Sequence, residues 1–289
     1  MIQPMTRSLQ QPITREARGA PGAASDSRAQ ALPPVSIIVP TFREGKNIPL
    51  LVEQVFTAIG RTGRSGEMII VDDNSRDGTV EAVASLAAKY PVRLIVRESE
   101  RGLSSAVVRG FDEAKHDLLL CMDADLSHPP ESVPAVIAPV DAGVADFCIG
   151  SRYVAGGSTK EDWGFLRKLN SRGATLLARP LTAAKDPMAG FFCLPRAVYE
   201  RAKKSGVNAI GYKIGLEIMI KGRCKIVAEV PITFSDRLHG ESKLTLRQQL
   251  LYLRHLRSLY WFHRPVLSVM AVALALGVIA VAAWWVLIK

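Results

Sequence analysis

The sequence predicts an α/β fold with a doubly wound, Rossmann-like and mostly parallel central sheet, and three observations predict it. Short apolar runs recur at 35–40, 67–73, 92–96, 118–125 and 146–150, separated by stretches with helical signals. The Leu-rich run beginning at Leu118 is apolar continuously rather than alternately, as in a strand covered on both faces. Several of them stop at acids or turn residues, and the carboxyl ends of parallel strands are where open α/β sheets bind ligands. A chain of 289 residues accommodates one such catalytic domain with appendages.

Taken in order, residues 1–34 are rich in Ala, Gly, Pro, Ser, Gln and Arg, and they lack an apolar signal-peptide core. They predict a disordered tail, with a transit peptide as the alternative because Arg7, Arg15, Arg18 and Arg28 outnumber Glu16 and Asp26. The first strand follows, and Asn47 before Ile48-Pro49 predicts a capped helix running to about 59. The second strand ends at Asp72-Asp73, and Asp77 is placed to cap a helix over 78–89. A third strand over 92–96, a helix over 103–115, the run ending at Asp123 and Asp125, a helix from Pro129 and a fifth strand complete the βαβ alternation.

The second half is less regular. Helices are expected over 163–179 and 212–221, and strands over 190–194 and 225–234, with Pro231 near the end of the latter. This half reads as the acceptor side. Over 244–264, Leu246, Leu250, Leu253 and Tyr260 alternate with Arg247, Arg254, His255 and Arg257, the pattern of an amphipathic helix on a membrane surface; a helix packed on the domain is the alternative. Residues 266–288 carry no charge and are long enough to cross about 30 Å of hydrocarbon, so 265–289 is expected to be a transmembrane helix. Arg254, Arg257, His263 and Arg264 precede it and only Lys289 follows, which predicts a single-pass protein of the cytoplasmic or inner membrane with its catalytic domain in the cytoplasm. The α/β domain itself is bounded at 35–243.

Lysine and arginine number 37 against 27 aspartates and glutamates, and the excess gathers in the tail and beyond Arg237. With no nucleic-acid signature in the chain, the basic C-terminal region favours a lipid surface over nucleic acid. The four cysteines lie apart in apolar runs without a C-x-x-C pair, as expected of buried, reduced thiols facing a reducing cytosol.

Acidic groups converge on one edge of the predicted sheet: Asp72, Asp73 and Asp77, then Asp123 and Asp125, beside Pro40, Thr41 and Glu44 after the first strand. Two carboxylates one residue apart suit a divalent cation that completes its shell with water and substrate phosphates. The others can accept hydrogen bonds from ribose or base. Helix capping or a polar loop start is the plainer reading of any one of them, and helix capping stays open for Asp77.

The segments Val39-Pro40-Thr41-Phe42-Arg43-Glu44, Val71 through Thr79, Met122-Asp123-Ala124-Asp125 through Glu131, Gly150-Ser151-Arg152-Tyr153 and Asp236 through Leu244 together resemble the family 2 glycosyltransferases of GT-A fold, and within them the dolichyl (polyprenyl) phosphate mannose synthases. The resemblance implies inverting transfer of a sugar, with GDP-mannose favoured as donor, to the phosphate of dolichyl or polyprenyl phosphate. It implies Mg²⁺ or Mn²⁺ held by Asp123 and Asp125, and a nucleotide-sugar pocket of Pro40, Thr41, Glu44, Asp72, Asp73, Asp123, Ala124, Asp125, Arg237 and Lys243. Arg152 and Asp186 join Asp123 and Asp125 as catalytic candidates, and Arg152, Arg167 and Arg172 are candidates for the lipid phosphate. Where relatives often carry a glutamine two residues after the second aspartate, this chain has Ser127. A lipid phosphate is largely ionised at neutral pH, so it is its own nucleophile and needs cations rather than a general base. The competing readings are transfer of glucose or an N-acetylhexosamine from UDP, and a membrane-tethered nucleotide-sugar binding protein without turnover.

Overall fold

The computed structural model describes residues 31–159, 173–209, 211–235, 246–266 and 268–270. The expected tail apart from its last residues, most of the 163–179 helix, Arg167, Arg172, Arg237, Lys243 and the spanning segment beyond 270 lie outside the described residues. Among the described residues no helix is long and apolar enough to cross a membrane.

The strands β1 (Val35–Thr41), β2 (Gly66–Asp72), β3 (Val92–Val96), β4 (Leu118–Cys121) and β5 (Phe147–Ser151) alternate with the helices α1 (Ile48–Gly60), α2 (Thr79–Leu86), α3 (Leu103–Glu113) and α4 (Val133–Asp141). There follow β6 (Ser158–Thr159), a helical stretch over 173–178, β7 (Phe192–Pro195), α5 (Arg196–Lys204), α6 (Ile214–Lys221), β8 (Val227–Pro231), β9 (Thr233–Phe234) and α7 (Leu246–His263). Seven strands form one sheet in the order β3-β2-β1-β4-β7-β5-β8, and β6 pairs with β9 apart from it.

The continuous apolar runs are explained by burial on both faces. Along β1, Val35, Ile37 and Val39 join a core with α1, α2 and α4, while Ile38 points into a second core with α3, α5 and α6. Successive side chains of β2, β4 and β7 divide between the same two cores.

One strand departs from a parallel sheet. β7 runs antiparallel to both β4 and β5, with Cys121 opposite Phe192 and Cys148 opposite Cys193. Residues that precede β7 therefore enter at the edge where β1, β2 and β4 end, and this reversal brings 186–191 to the site. The expected strand over 225–234 is two strands broken at Ile232, which is buried.

Two local expectations are corrected. Asn47 does not cap α1 through its side chain; its Nδ2 donates to Glu44 Oε2 at 2.6 Å, and only its backbone carbonyl accepts from Leu51. His255, expected on the polar face of the amphipathic helix, is buried beneath it, because a third cluster packs Leu256 and Leu259 of α7 against Leu216 and Ile220 of α6. Leu250, Leu253 and Trp261 on the outer face stay exposed. The cysteines are free thiols, three buried and Cys224 half-buried.

Candidate active site

The loops after β1, β2 and β4 are held in strained turns. Arg43, Asn74, Arg76 and Leu126 adopt φ between 52° and 63°, a left-handed conformation that costs L-residues roughly 1–2 kcal/mol each. Hydrogen bonds donated to the acids at and after the strand ends hold these turns. Asp72 accepts from the N–H of Ser75 at 2.8 Å and from its hydroxyl, and Ser75 Oγ in turn accepts from the N–H of Arg43 at 2.7 Å. Asp77 receives Gly45 N–H at 2.9 Å and the hydroxyl of Thr79 at 2.7 Å, so it ties the first loop to the start of α2; its carboxyl lies below the usual range, because these hydrogen bonds outweigh burial. Asp73, nearly buried, accepts from Arg97 Nε at 2.7 Å, from Arg97 Nη2 and from Gly102 N–H at 2.8 Å. Sequence reasoning missed Arg97, which lies at the end of β3 where a lone arginine reads as a solvated charge.

At the end of β4 the two aspartates have different surroundings. Asp125 is buried and accepts the N–H of Ser127 at 3.1 Å across the Leu126 turn. The Asp123 side chain is 32 % exposed, and its N–H donates to His128 Nδ1 at 3.1 Å. Because Nδ1 accepts, the neutral imidazole carries its proton on Nε2. His128 is itself wedged between Phe191, stacked at 5.3 Å, and Phe234. Gly190 closes against this pair: a Cβ there would lie 3.2 Å and 3.3 Å from the Asp123 carboxylate oxygens.

The basic side of the site is built on Asp186, which is fully buried. Arg152 Nε and Nη2 donate to its two oxygens at 2.8 Å each, and Arg152 N–H adds a third bond at 3.1 Å. Burial opposes the charge of Arg152, but the bonds to Asp186 outweigh it and raise the guanidinium's affinity for its proton. The guanidinium also lies 5.2 Å from the Tyr153 ring centre and 5.3 Å from that of Phe234. Asp186 is fixed in turn by Glu229, which accepts the N–H groups of Lys185 and Asp186 at 2.8 Å and 2.9 Å.

A further cation, Lys213, stands just before α6 and donates to the Met188 carbonyl at 3.0 Å. Burial pushes its ammonium down to about 8, helped by Arg152 and opposed by Asp123 and Asp186, which places it in the field of all three. A single lysine before a helix gives no sequence signal.

The structure thus brings Pro40, Thr41, Glu44, Asp72, Asp73, Asp123, Ala124, Asp125, Arg152 and Asp186 to one edge of the sheet. Two carboxylates fit a divalent cation that relies on substrate phosphates, since among the described residues no group of three or more His, Cys, Asp or Glu could hold one alone. The buried Ser127 hydroxyl, two residues after Asp125, finds no hydrogen-bond partner among the described residues, and an orphaned buried oxygen next to two carboxylates fits a site that would be completed by a hydrated cation.

A mixed, helix-covered sheet with an Asp-x-Asp pair just after β4 has the architecture of the GT-A glycosyltransferases. More narrowly, the chain belongs to glycosyl transferase family 2, whose model matches residues 36–202. It is 43 % identical over 287 residues to a dolichol-phosphate mannosyltransferase of Mycosarcoma maydis, covering 97 % of each chain. It is 46 % identical to the enzyme of that name from Pyrococcus furiosus over 78 % of this chain and 64 % of the other. Among solved structures, glucosyl-3-phosphoglycerate synthase from Mycobacterium tuberculosis, in complex with Mn²⁺, UDP and glucosyl-3-phosphoglycerate, matches 81 % of each chain with a TM-score of 0.58 at 16 % identity, a likeness of fold.

Proposed function

We propose that this glycosyltransferase moves mannose from GDP-mannose to the phosphate of a polyprenyl or dolichyl lipid, inverting the anomeric centre, at a membrane surface with its catalytic domain in the cytoplasm. The similarity to dolichol-phosphate mannosyltransferases over nearly the whole chain supports the sugar and the acceptor. The observation that carries the chemistry is the Arg152–Asp186 pair. Both oxygens of Asp186 accept from one guanidinium, so Asp186 aims a cation and is not placed to take a proton from an acceptor hydroxyl. A site that offers cations fits an acceptor that arrives already ionised.

Asp123 and Asp125 would hold Mg²⁺ or Mn²⁺, which when bound neutralises the leaving diphosphate. The chain's own residues do the rest. The strained loops after β1 and β2 present Pro40, Thr41, Glu44, Asp72 and Asp73 to the nucleotide. Arg152 and Lys213 offset the repulsion between donor and acceptor phosphates. Arg167, Arg172, Arg237 and Lys243, which lie outside the described residues, are assigned to the phosphates by the sequence resemblance.

Calorimetric titration of the purified full chain in Mg²⁺ with GDP-mannose, UDP-glucose and UDP-N-acetylglucosamine tests the donor. GDP-mannose is expected to bind at least tenfold tighter than either UDP sugar. Tighter binding of a UDP sugar would replace mannose with that sugar.

A further inference from the structure

On the outer side of α7 a cleft of about 1240 Å³ opens against the C-terminal end of α6 and the loop after α5. Arg254, Arg257, Trp261 and Arg264 line it, spaced three or four residues apart and therefore on one side of the helix. All are exposed, and the arginine side chains make no hydrogen bond or ion pair with any described residue. No carboxylate lines the cleft among the described residues, and its remaining cation, Lys221, is already neutralised by Glu217 at 2.7 Å. Beyond Arg264 the described chain leaves Val266, Val269 and Met270 exposed. Unpaired guanidinium groups beside an exposed tryptophan and an apolar run suit one chemistry: a phosphate at the level of a membrane interface, with hydrocarbon below it.

We propose that this cleft binds the headgroup of an anionic glycerophospholipid, its phosphate between Arg254, Arg257 and Arg264 and its acyl chains along Trp261, Val266, Val269 and Met270. The proposal rests on the membrane-surface reading above. It concerns a phosphate other than the reacting one. Lys213 of the active site and Lys221 of the cleft stand at opposite ends of α6, which at 1.5 Å per residue separates them by about 12 Å.

The test uses the purified full chain in neutral detergent with an equimolar mixture of phosphatidylglycerol and phosphatidylcholine, reading retained lipid by native mass spectrometry. Phosphatidylglycerol is expected to be retained at least tenfold over phosphatidylcholine. Each cation near an anionic lipid surface is worth roughly fivefold in affinity, so R254Q/R257Q/R264Q should raise the half-saturating phosphatidylglycerol concentration about a hundredfold and R257Q alone about fivefold. Phosphatidylcholine retention and the melting temperature should not move. Equal retention of the two lipids, or a preference that survives the triple substitution, would overturn the proposal. So would displacement of phosphatidylglycerol by equimolar polyprenyl phosphate, which would make the cleft part of the acceptor path. The readout needs no sugar donor, so its failure and a failure of mannosyl transfer are separate results.

Discussion

Replacing Asp186 by alanine removes three hydrogen bonds from Arg152 at once, two of them to the guanidinium at 2.8 Å. The pair is buried, with side-chain exposure of 11 % for Arg152 and 0 % for Asp186. Taking one partner from a buried ion pair strands the other charge and typically costs about 3–5 kcal/mol. For a domain of roughly 200 residues that is a fall in melting temperature of about 6–20 °C. Asp186→Asn keeps the shape and one acceptor oxygen, but it loses the charge and turns an amide NH2 toward an Arg152 N–H, donor against donor, so it should be destabilising as well, by somewhat less than alanine at most. Both substitutions should release Arg152 from its orientation. Misplacement of a positioned group by about 1 Å can lower turnover by about a hundredfold, so transfer should fall by that order while nucleotide affinity, which the proposed function assigns to the β1 and β2 loops, stays within about threefold. The assays are thermal melting, calorimetric GDP binding and lipid-linked sugar formation on the same preparations. An Asp186→Ala protein that melts and turns over like the wild type would refute the assignment of Asp186 as the residue that aims Arg152.

Gly190→Ala puts a Cβ at 3.2–3.3 Å from the Asp123 oxygens, close enough that the carboxylate must move; transfer should drop about tenfold with a melting temperature within a few degrees of wild type. Lys213 is expected to impose an alkaline limit on kcat/KM near its value of about 8, because its charge is lost as pH rises through it, and Lys213→Arg should shift that limit upward. The linkage to stability has the opposite sign: with a folded pKa below the ordinary 10.5, the cost of burying the ammonium is present below about 8 and fades at higher pH, so the alkaline loss should be one of activity and not of folding. Glu217 is fully buried; burial alone would raise its carboxyl, but His255, the Asn208 N–H and Lys221 outweigh it and bring the carboxyl down to about 2. Its stabilisation, about 3 kcal/mol, is therefore present above the ordinary 4.5 and lost as pH falls from there toward 2, and Glu217→Gln should flatten the denaturant midpoint across that window.

Much of the first half was legible because its signals are local. Five runs of strand length with helical stretches between them are enough to give β1 to β5, and the nearly unbroken apolarity of the runs at β1, β2 and β4 tells that both faces are covered there, unlike the edge strand β3 with its Arg93. Asp72, Asp73, Asp123 and Asp125 could be placed on one edge because they end parallel strands, where position follows from topology alone. The direction of β7 could not be read, since Phe192-Cys193-Leu194 suits a buried strand of either sense; yet that reversal is what carries Asp186 and Gly190 to the site. α5 was missed because Arg196 to Lys204 is dominated by charge, and only Val198, Tyr199 and Ala202 face the core. Arg97 and Lys213 left no trace in sequence spacing, because their partners, Asp73 and Met188, are 24 and 25 residues away along the chain.

The most direct measurement is transfer itself. Purified full chain is incubated with Mg²⁺, a polyprenyl phosphate and separately labelled GDP-mannose, UDP-glucose and UDP-N-acetylglucosamine, and the organic phase is counted, with Asp123→Ala as the control. The account predicts lipid-extractable label from GDP-mannose, absent with Asp123→Ala and absent without the lipid phosphate. No label in the lipid phase from any of the donors, with a folded protein and a competent acceptor, would contradict it.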